Sequence, residues 1–255
     1  MSIARSGTRG LLSSCAVAFS FLTILPLRLG DRGHTSVNDA VVWFPLVGAA
    51  IGALAGAVRL LAQPLLGVSV SSVLALIALV GLTGALHLDG LADSADGLGV
   101  HGNRERRLEV MRDSAVGTFG ALALLGWALL FLSALESLSD VHALRALVAA
   151  AALGRWAALL HAASVSSARA DGLGAAFHPP PAQLAIASAL AVAVAELACG
   201  LLPGLAAIGA ALLIAALSAV WARQALGGRT GDTLGATIVI AEVAVCLALL
   251  AVWQG

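Results

Sequence analysis

Seven long apolar runs constrain the fold of this chain more than any other feature of its sequence. Each is close to the roughly 20 residues that an α-helix needs to cross the hydrocarbon core of a bilayer. Hydrophobic residues make up 60% of the 255 residues and charged residues only 11%, whereas soluble domains average roughly 25% charged residues. The sequence therefore predicts an all-α fold, a polytopic transmembrane helix bundle of about seven spans that forms one domain over residues 1–255. The runs are 39–62, 66–86, 117–135, 143–165, 182–202, 204–222 and 236–253.

The N-terminal stretch 11–27 is predicted to be an interfacial or re-entrant segment and not a span. It begins apolar but ends in the polar and proline-containing sequence of residues 23–26. A spanning helix would leave one of its two flanking arginine pairs outside, against the positive-inside rule. The flanking residues are Arg5, Arg9, Arg28 and Arg32.

The distribution of arginine predicts the orientation of the chain. There is no lysine, and the arginines outside the apolar runs are concentrated in the loops 28–38, 87–116, 166–181 and 223–235. The positive-inside rule assigns these loops to the cytoplasm, which predicts a multi-pass cell-membrane protein with a cytoplasmic active site. The net charge of zero excludes a nucleic-acid-binding domain of the usual basic kind. The absence of lysine excludes Schiff-base chemistry and a P-loop lysine.

An acidic cluster opens the loop 87–116. Asp89, Asp93 and Asp96 are spaced i, i+4, i+7, which places three carboxylates on one face of a helix. Like charges at the end of an apolar span repel one another and lose hydration, so a divalent cation is the simplest compensation. Oxygen ligands favour Mg²⁺, and the neighbouring His87 is a candidate substrate ligand. A solvated acidic helix end is the alternative interpretation.

A basic segment follows the acidic cluster. Its arginine side chains suit bidentate binding of a phosphate group, although a loop that serves only to set membrane topology would explain the same charges. At its end, Asp113 is either a catalytic carboxylate or a helix N-cap, and Ser114 is either a substrate ligand or the cap. The candidate substrate ligands in the basic segment are Arg104, Arg107 and Arg112.

Two further polar features lie outside this loop. Thr230 and Asp232 lie in a glycine-rich turn that precedes an apolar run, where a helix N-terminus favours anions; Asp232 as a simple helix cap is the alternative. Arg155 lies within an apolar run, where a guanidinium group needs a partner. The available partners are Asp89, Glu196, Glu242 or a substrate phosphate.

Glycines four residues apart give the first apolar run a smooth face at Gly48, Gly52 and Gly56. Such a stripe allows the backbones of two helices to approach closely. It predicts packing against a neighbouring helix, with a ligand-facing groove as the alternative.

Four strings together resemble the cobalamin synthase family, also called adenosylcobinamide-GDP ribazoletransferase. They are WFPLVG at 43–48, HLDGLAD at 87–93, MRDS at 111–114 and TGDTLGA at 230–236. The resemblance extends in order from Phe19 to Glu242. Ile24 departs from it, because many relatives are expected to carry arginine there. The acidic motif is also similar to the start of the motif of the CDP-alcohol phosphotransferases, through Asp89, Gly90 and Asp93, although the full spacing differs.

The resemblance implies an integral membrane enzyme with Mg²⁺ as its cofactor. Its substrates would be adenosylcobinamide-GDP and α-ribazole or α-ribazole 5′-phosphate, and GMP would leave. Asp89, Asp93 and Asp96 would hold the metal, and one of them or Asp113 would accept the proton of the attacking hydroxyl. The implied partners are these substrates and the lipid bilayer, with self-association or contact with other cobamide-assembly enzymes left open. A cation-coupled transporter is the rival interpretation, since intramembrane carboxylates also bind coupling ions.

Overall fold

The computed structural model describes residues 3–27, 36–169 and 177–254, and the regular elements within these ranges are helices. Arg28 and Arg32, and the side chains of Arg5 and Arg9, lie outside what the structure describes. In chain order the helices are α1 Ile3–Leu22, α2 Val37–Ala40, α3 Phe44–Thr83, α4 Leu86–Gly99, α5 Arg104–Val110, α6 Thr118–Glu136, α7 Asp140–Ser164, α8 Pro181–Cys199, α9 Leu201–Leu226 and α10 Gly231–Gln254. A 3₁₀ turn, Val41–Trp43, joins α2 to α3.

Six helical stretches in the described residues are long and apolar enough to cross a membrane: Val37–Thr83, α6, α7, α8, α9 and α10. The apolar part of α1, Gly10–Leu22, is shorter than a typical span. That length agrees with the predicted non-spanning N-terminal segment. The molecule is therefore an all-helical bundle with a short apolar helix beside it.

Most of the first two predicted spans, 39–62 and 66–86, lies within α3, which folds back on itself at Gly67. Gly67 has φ 77° and ψ 173°, a conformation that favours glycine. Nε of Arg59 donates a hydrogen bond of 3.1 Å to Oγ of Ser72. In a straight helix their Cα atoms would be about 20 Å apart, beyond the reach of an arginine side chain. The arms 44–66 and 68–83 therefore return toward the same end of the molecule.

In α8, small residues face the interior of the bundle and large apolar residues face outward. In α8 the buried residues are Ala187, Ala191, Ala195 and Cys199, one at every fourth position, while Leu197 is 88% exposed. This arrangement suits a lipid environment, where helices associate through close backbone packing. The most enclosed helix is α7, in which residues 149–159 are all buried.

The glycine stripe of α3 packs against α7, as the sequence predicts. A Cβ atom at Gly48 or Gly52 would overlap main-chain atoms of Ala151 or Leu147, and one at Gly56 would meet the side chain of Leu144. Because these three glycines have no side chains, the backbone of α3 can lie close to that of α7.

The bundle has two distinct ends. At the far end, Nη1 of Arg59 lies 2.7 Å from the carboxylate of Asp140, and Nη2 donates to the carbonyl oxygens of Leu135 and Leu138. At the other end, here called the site end, the side chain of Arg104 donates to the carbonyl oxygens of Leu226 and Ala168. These bonds join the described parts of the loops 87–116, 166–181 and 223–235 at one end of the molecule.

Candidate active site

Two glycines bring α4, which carries the acidic cluster, against the start of α10. A Cβ atom at Gly90 would lie 2.6 Å from the main-chain oxygen of Asp232, and one at Gly235 would lie 3.3 Å from Cα of His87. Between α3 and α4 the backbone turns through two residues with positive φ, Gly84 at 61° and Ala85 at 59°. The acidic motif and the glycine-rich turn, far apart in sequence, therefore meet at the site end.

A cavity of about 290 Å³ opens where these two helices meet. Its wall contains both polar and apolar residues. The polar residues are His87, Asp89, Ser167, Arg169, Thr230 and Asp232, and the apolar ones include Phe21, Leu22, Phe44, Ala158, Leu159, Phe177 and Ile238. The structure thus brings four of the predicted site residues to one cavity: His87, Asp89, Thr230 and Asp232.

Asp93 lies one turn beyond Asp89 and is crowded by other carboxylates. Burial, followed by the negative charges of Asp89, Asp232 and Asp96, raises the pKa of Asp93 to about 7, against a smaller opposite effect of Arg169. Repulsion of this kind is what the spacing of the aspartates predicts. It favours a cation beside Asp93.

Asp96 has a structural partner. Its two carboxylate oxygens accept hydrogen bonds from the backbone N–H groups of Gly117, at 2.7 Å, and Gly120, at 2.8 Å. Asp96, which lies on α4, thereby caps the start of α6. Its negative charge also interacts favourably with the dipole of α6. The N-cap residue of α6 is Gly117, so the alternative in which Asp113 or Ser114 caps this helix is wrong.

Asp232 is held by two neighbours at the start of α10. Its carboxylate lies 3.4 Å from Nη1 of Arg169 and accepts a hydrogen bond of 3.2 Å from the hydroxyl of Thr230. Oγ1 of Thr230 also accepts a hydrogen bond from the backbone N–H of Thr233. The side chain that caps α10 is therefore Thr230, so the interpretation of Asp232 as a simple cap is wrong.

Two arginines of the site end were not singled out as site residues from the sequence. Arg169 lines the cavity, and its Nε is a buried donor with no hydrogen-bond partner among the described residues. Arg229 is fully buried, and its Nη2 donates to the carbonyl oxygen of Phe177. Membrane topology already explains arginines in these loops. The sequence therefore does not indicate where in the structure the side chains of Arg169 and Arg229 lie. The one available signal was Arg229 between glycine and threonine at a helix start.

Two arginines of the predicted phosphate-binding segment, Arg104 and Arg107, bind protein carbonyls. Arg104 holds Leu226 and Ala168, and Nη1 of Arg107 donates to the carbonyl oxygens of Gly97 and Leu98 at the end of α4. The other three predicted residues of this segment, Arg112, Asp113 and Ser114, are exposed. The structure brings none of these five to the wall of the cavity.

Arg155 pairs with Glu242 inside the bundle. Nη1 of Arg155 donates to Oε1 of Glu242, and both side chains are almost fully buried. Glu242 is one of the partners that the sequence allows, but Arg155 does not line the cavity. Burial, followed by the positive charge of Arg155, lowers the pKa of His87 to about 3. His87 is therefore a neutral imidazole at the cavity wall.

No group of three or more His, Cys, Asp or Glu side chains within the described ranges could by itself hold a metal ion. This does not conflict with Mg²⁺ chemistry, because Mg²⁺ usually keeps several waters and binds one or two carboxylates plus substrate phosphates. Asp89 and Asp93 supply two hard oxygen donors whose mutual repulsion a cation would relieve.

Comparisons with known proteins show the family of the chain. The family described as cobalamin-5-phosphate synthase matches residues 14–250. A relative from Klebsiella pneumoniae, named adenosylcobinamide-GDP ribazoletransferase, is 40% identical over 94% of this chain and 100% of its own length. A relative of the same name from Azorhizobium caulinodans is 44% identical over 94% of this chain and 96% of its own length. No solved structure matches. The chain therefore belongs to the cobalamin-5-phosphate synthase family.

Proposed function

We propose that this chain is a membrane-embedded adenosylcobinamide-GDP ribazoletransferase of cobalamin biosynthesis. Its substrates are adenosylcobinamide-GDP and α-ribazole or α-ribazole 5′-phosphate. The observation that carries the proposal, beside family membership, is one cavity where Asp89 of α4 meets Arg169 and the Thr230–Asp232 turn. That cavity offers acidic side chains for a cation and the guanidinium group of Arg169 for phosphate.

The reaction is a transfer to phosphorus. A ribose hydroxyl of the ribazole attacks the phosphorus on the cobinamide side of the diphosphate, and the bond from that phosphorus to the bridging oxygen of GMP breaks. The hydroxyl loses its proton, and GMP leaves with the bond electrons. Positioning and electrostatic stabilisation supply most of the catalysis in transfers of this kind.

Asp89 and Asp93 would hold the Mg²⁺ ion. When bound, Mg²⁺ supplies charge neutralisation at the diphosphate oxygens. Asp96 acts as a positioning residue, because its bonds to Gly117 and Gly120 fix the face of α4 that carries the other two aspartates.

Arg169 and Thr230 would bind the nucleotide-activated substrate. Nε of Arg169 is an unused buried donor beside the cavity among the described residues, and guanidinium groups bind phosphate oxygens well. Asp232 orients Arg169 through their ion pair. The start of α10 adds a favourable dipole for an anion.

We further infer seven membrane crossings, with α3 contributing two, and a site end that faces the cytoplasm. The fold-back at Gly67 supports the count. Charge supports the orientation, because arginines of the described loops and helix ends cluster at the site end, whereas Arg59 and Arg145 are found toward the far end. The site-end arginines are Arg104, Arg106, Arg107, Arg112, Arg169, Arg223 and Arg229.

Single cysteines at two exposed serines test this orientation. Ser114→Cys is at the site end and Ser137→Cys is at the far end. In intact cells, a membrane-impermeant maleimide should label Cys substituted at 137 and not at 114, with the parent chain as the control for Cys15, Cys199 and Cys246. The opposite labelling would reverse the orientation.

The activity is tested in detergent-solubilised protein, where no sealed compartment exists and transport cannot be scored. Adenosylcobinamide-GDP, α-ribazole 5′-phosphate and Mg²⁺ are added, and GMP and the cobalamin product are quantified by mass spectrometry. Stoichiometric GMP and product are expected, with loss of both on chelation of Mg²⁺. Intact, folded protein that yields neither would refute the proposed function.

A further inference from the structure

Three phenylalanine rings lie together on the apolar part of the cavity wall. Phe21 comes from the end of α1, Phe44 from the start of α3, and Phe177 from the segment before α8. The ring centroids of the three pairs are 5.8, 6.3 and 5.9 Å apart, and the ring planes lie within 21° of one another. Similar separations for all three pairs describe a triangular patch, because the outer rings of a single column would be much farther apart.

The same cavity also carries groups of opposite character. Its acidic and basic side chains come from α4, Arg169 and the start of α10, whereas Leu22, Ala158 and Leu159 are further apolar residues of its wall. Small-molecule sites commonly combine an apolar wall with a few polar groups that fix orientation. A ligand with an aromatic part and a polar, reacting part matches this division.

The size of the cavity restricts the ligand. Its volume of about 290 Å³ lies near the lower limit of small-molecule sites, which run from about 300 to 1,000 Å³. A nucleoside fits this range, whereas a corrin macrocycle is too large and must remain largely outside. The part of a substrate that enters the cavity is therefore a nucleoside base and not the corrin macrocycle.

The other apolar residues of the cavity favour one of the two bases of the reaction. Guanine carries amide and amino groups along its edge, and burying these groups without hydrogen-bond partners is costly. Leu22, Ala158 and Leu159 have no side-chain donors or acceptors. The benzimidazole-type base of a ribazole presents a hydrocarbon edge and needs no such partners.

We propose that the aromatic patch of Phe21, Phe44 and Phe177 binds the planar base of the ribazole acceptor and directs its ribose toward Asp89 and Asp232. This inference rests on the proposed function and extends it by naming the acceptor subsite. The patch would then determine which acceptor is used, because stacking on the three rings stabilises the binding of a flat, apolar base.

The test is a steady-state comparison of Phe44→Leu and Phe177→Leu with the parent enzyme, varying each substrate in turn. Leucine keeps an apolar side chain and removes the ring. The KM for α-ribazole 5′-phosphate should rise about threefold to tenfold, in line with the loss of one aromatic contact, while the KM for adenosylcobinamide-GDP stays unchanged. Phe131→Leu is the matched control, because Phe131 is fully buried but lies on α6 outside the cavity.

A second measurement on the parent enzyme stands even if the phenylalanine variants fold poorly. The acceptor is replaced by the corresponding imidazole riboside phosphate, which keeps the sugar and phosphate but has a smaller base. Its kcat/KM should fall by at least tenfold. Equal use of both acceptors, or a rise only in the KM for adenosylcobinamide-GDP in the variants, would overturn the subsite while leaving the activity intact. A parent enzyme with no turnover would instead refute the proposed function.

Discussion

Gly90 and Asp232 are in direct contact, with only 2.6 Å between the main-chain oxygen of Asp232 and the position of a Cβ atom at Gly90. A methyl group there must push α4 away from α10 and separate the acidic motif from the Thr230–Asp232 turn. Gly90→Ala should therefore lower kcat/KM by at least tenfold while the protein still inserts into membranes. Gly126→Ala is the control, since a Cβ atom at Gly126 meets no atom within 4 Å. Equal activity in the two variants would show that the contact is not needed.

Asp89→Asn and Asp93→Asn should each reduce turnover by at least 100-fold, because each removes a charged oxygen ligand from the expected Mg²⁺ site. Calorimetric titration with Mg²⁺ should show weakened binding in both variants. Glu109→Gln removes an exposed carboxylate of α5 that pairs with Arg106, and it should behave like the parent enzyme. Unchanged Mg²⁺ affinity in both aspartate variants would remove these residues from the metal site.

Asp96→Ala should destabilise the protein, because two backbone N–H groups at the start of α6 lose their acceptor. Loss of such a cap costs about 0.5–2 kcal/mol of unfolding free energy. Thermal unfolding in detergent measures this loss. Mg²⁺ affinity should remain within a few-fold of the parent value if Asp96 is only a positioning residue. A complete loss of Mg²⁺ binding in folded protein would restore Asp96 to the ligand set.

The stability of the metal-free protein should fall as the pH rises from about 4 to 7. The ordinary pKa of the Asp93 carboxyl is 3.8, and in the folded protein it is raised to about 7. Between these values the folded state binds more protons than the unfolded state, so raising the pH favours unfolding. The melting temperature of Asp93→Asn should depend less on pH than that of the parent, and Mg²⁺ should reduce the parent's dependence. Parallel curves for the two proteins would contradict this account.

The buried pair of Arg155 and Glu242 gives a prediction about folding. Removing one partner leaves the other charge unpaired inside the bundle and should lower the free energy of unfolding by about 3–5 kcal/mol. Removing both partners should lower it much less. The double variant Arg155→Leu with Glu242→Leu should therefore accumulate in membranes better than either single variant. If the double variant accumulated less than both single variants, the two residues would make no coupled contribution to stability.

The sequence predicts the helical bundle, the glycine stripe and the candidate residues on α4 and α10, because these follow from apolar length and residue spacing. It does not predict which partner each polar side chain meets. The i, i+7 spacing places Asp96 on the same helix face as Asp89, but the approach of α6 gives Asp96 two backbone amides to accept. Such an approach depends on tertiary packing, which spacing along one helix does not encode.

Arginine shows the same limit. A membrane protein concentrates arginine on one side for reasons of topology, so Arg104 and Arg169 look alike in the sequence. In the structure Arg104 donates to carbonyl oxygens of two loops, whereas Arg169 lines the cavity with an unused donor. Arg104 is placed by α5, and Arg169 pairs with Asp232 at the start of α10. The positions of both helices depend on contacts between residues far apart in sequence.

The hydrogen bonding of Arg59 has a consequence for how the protein responds to its ligands. Every nitrogen of its guanidinium group donates to Ser72, Asp140 or a carbonyl oxygen at the far end. Arg169 and Arg229 at the other end keep nitrogens without partners among the described residues. Bound substrate can therefore slow amide exchange mainly in the half of each helix nearest the cavity. We expect amides in the opposite half to exchange at the same rate with and without substrate, so that this half would serve as a fixed frame for the half that contacts the ligand.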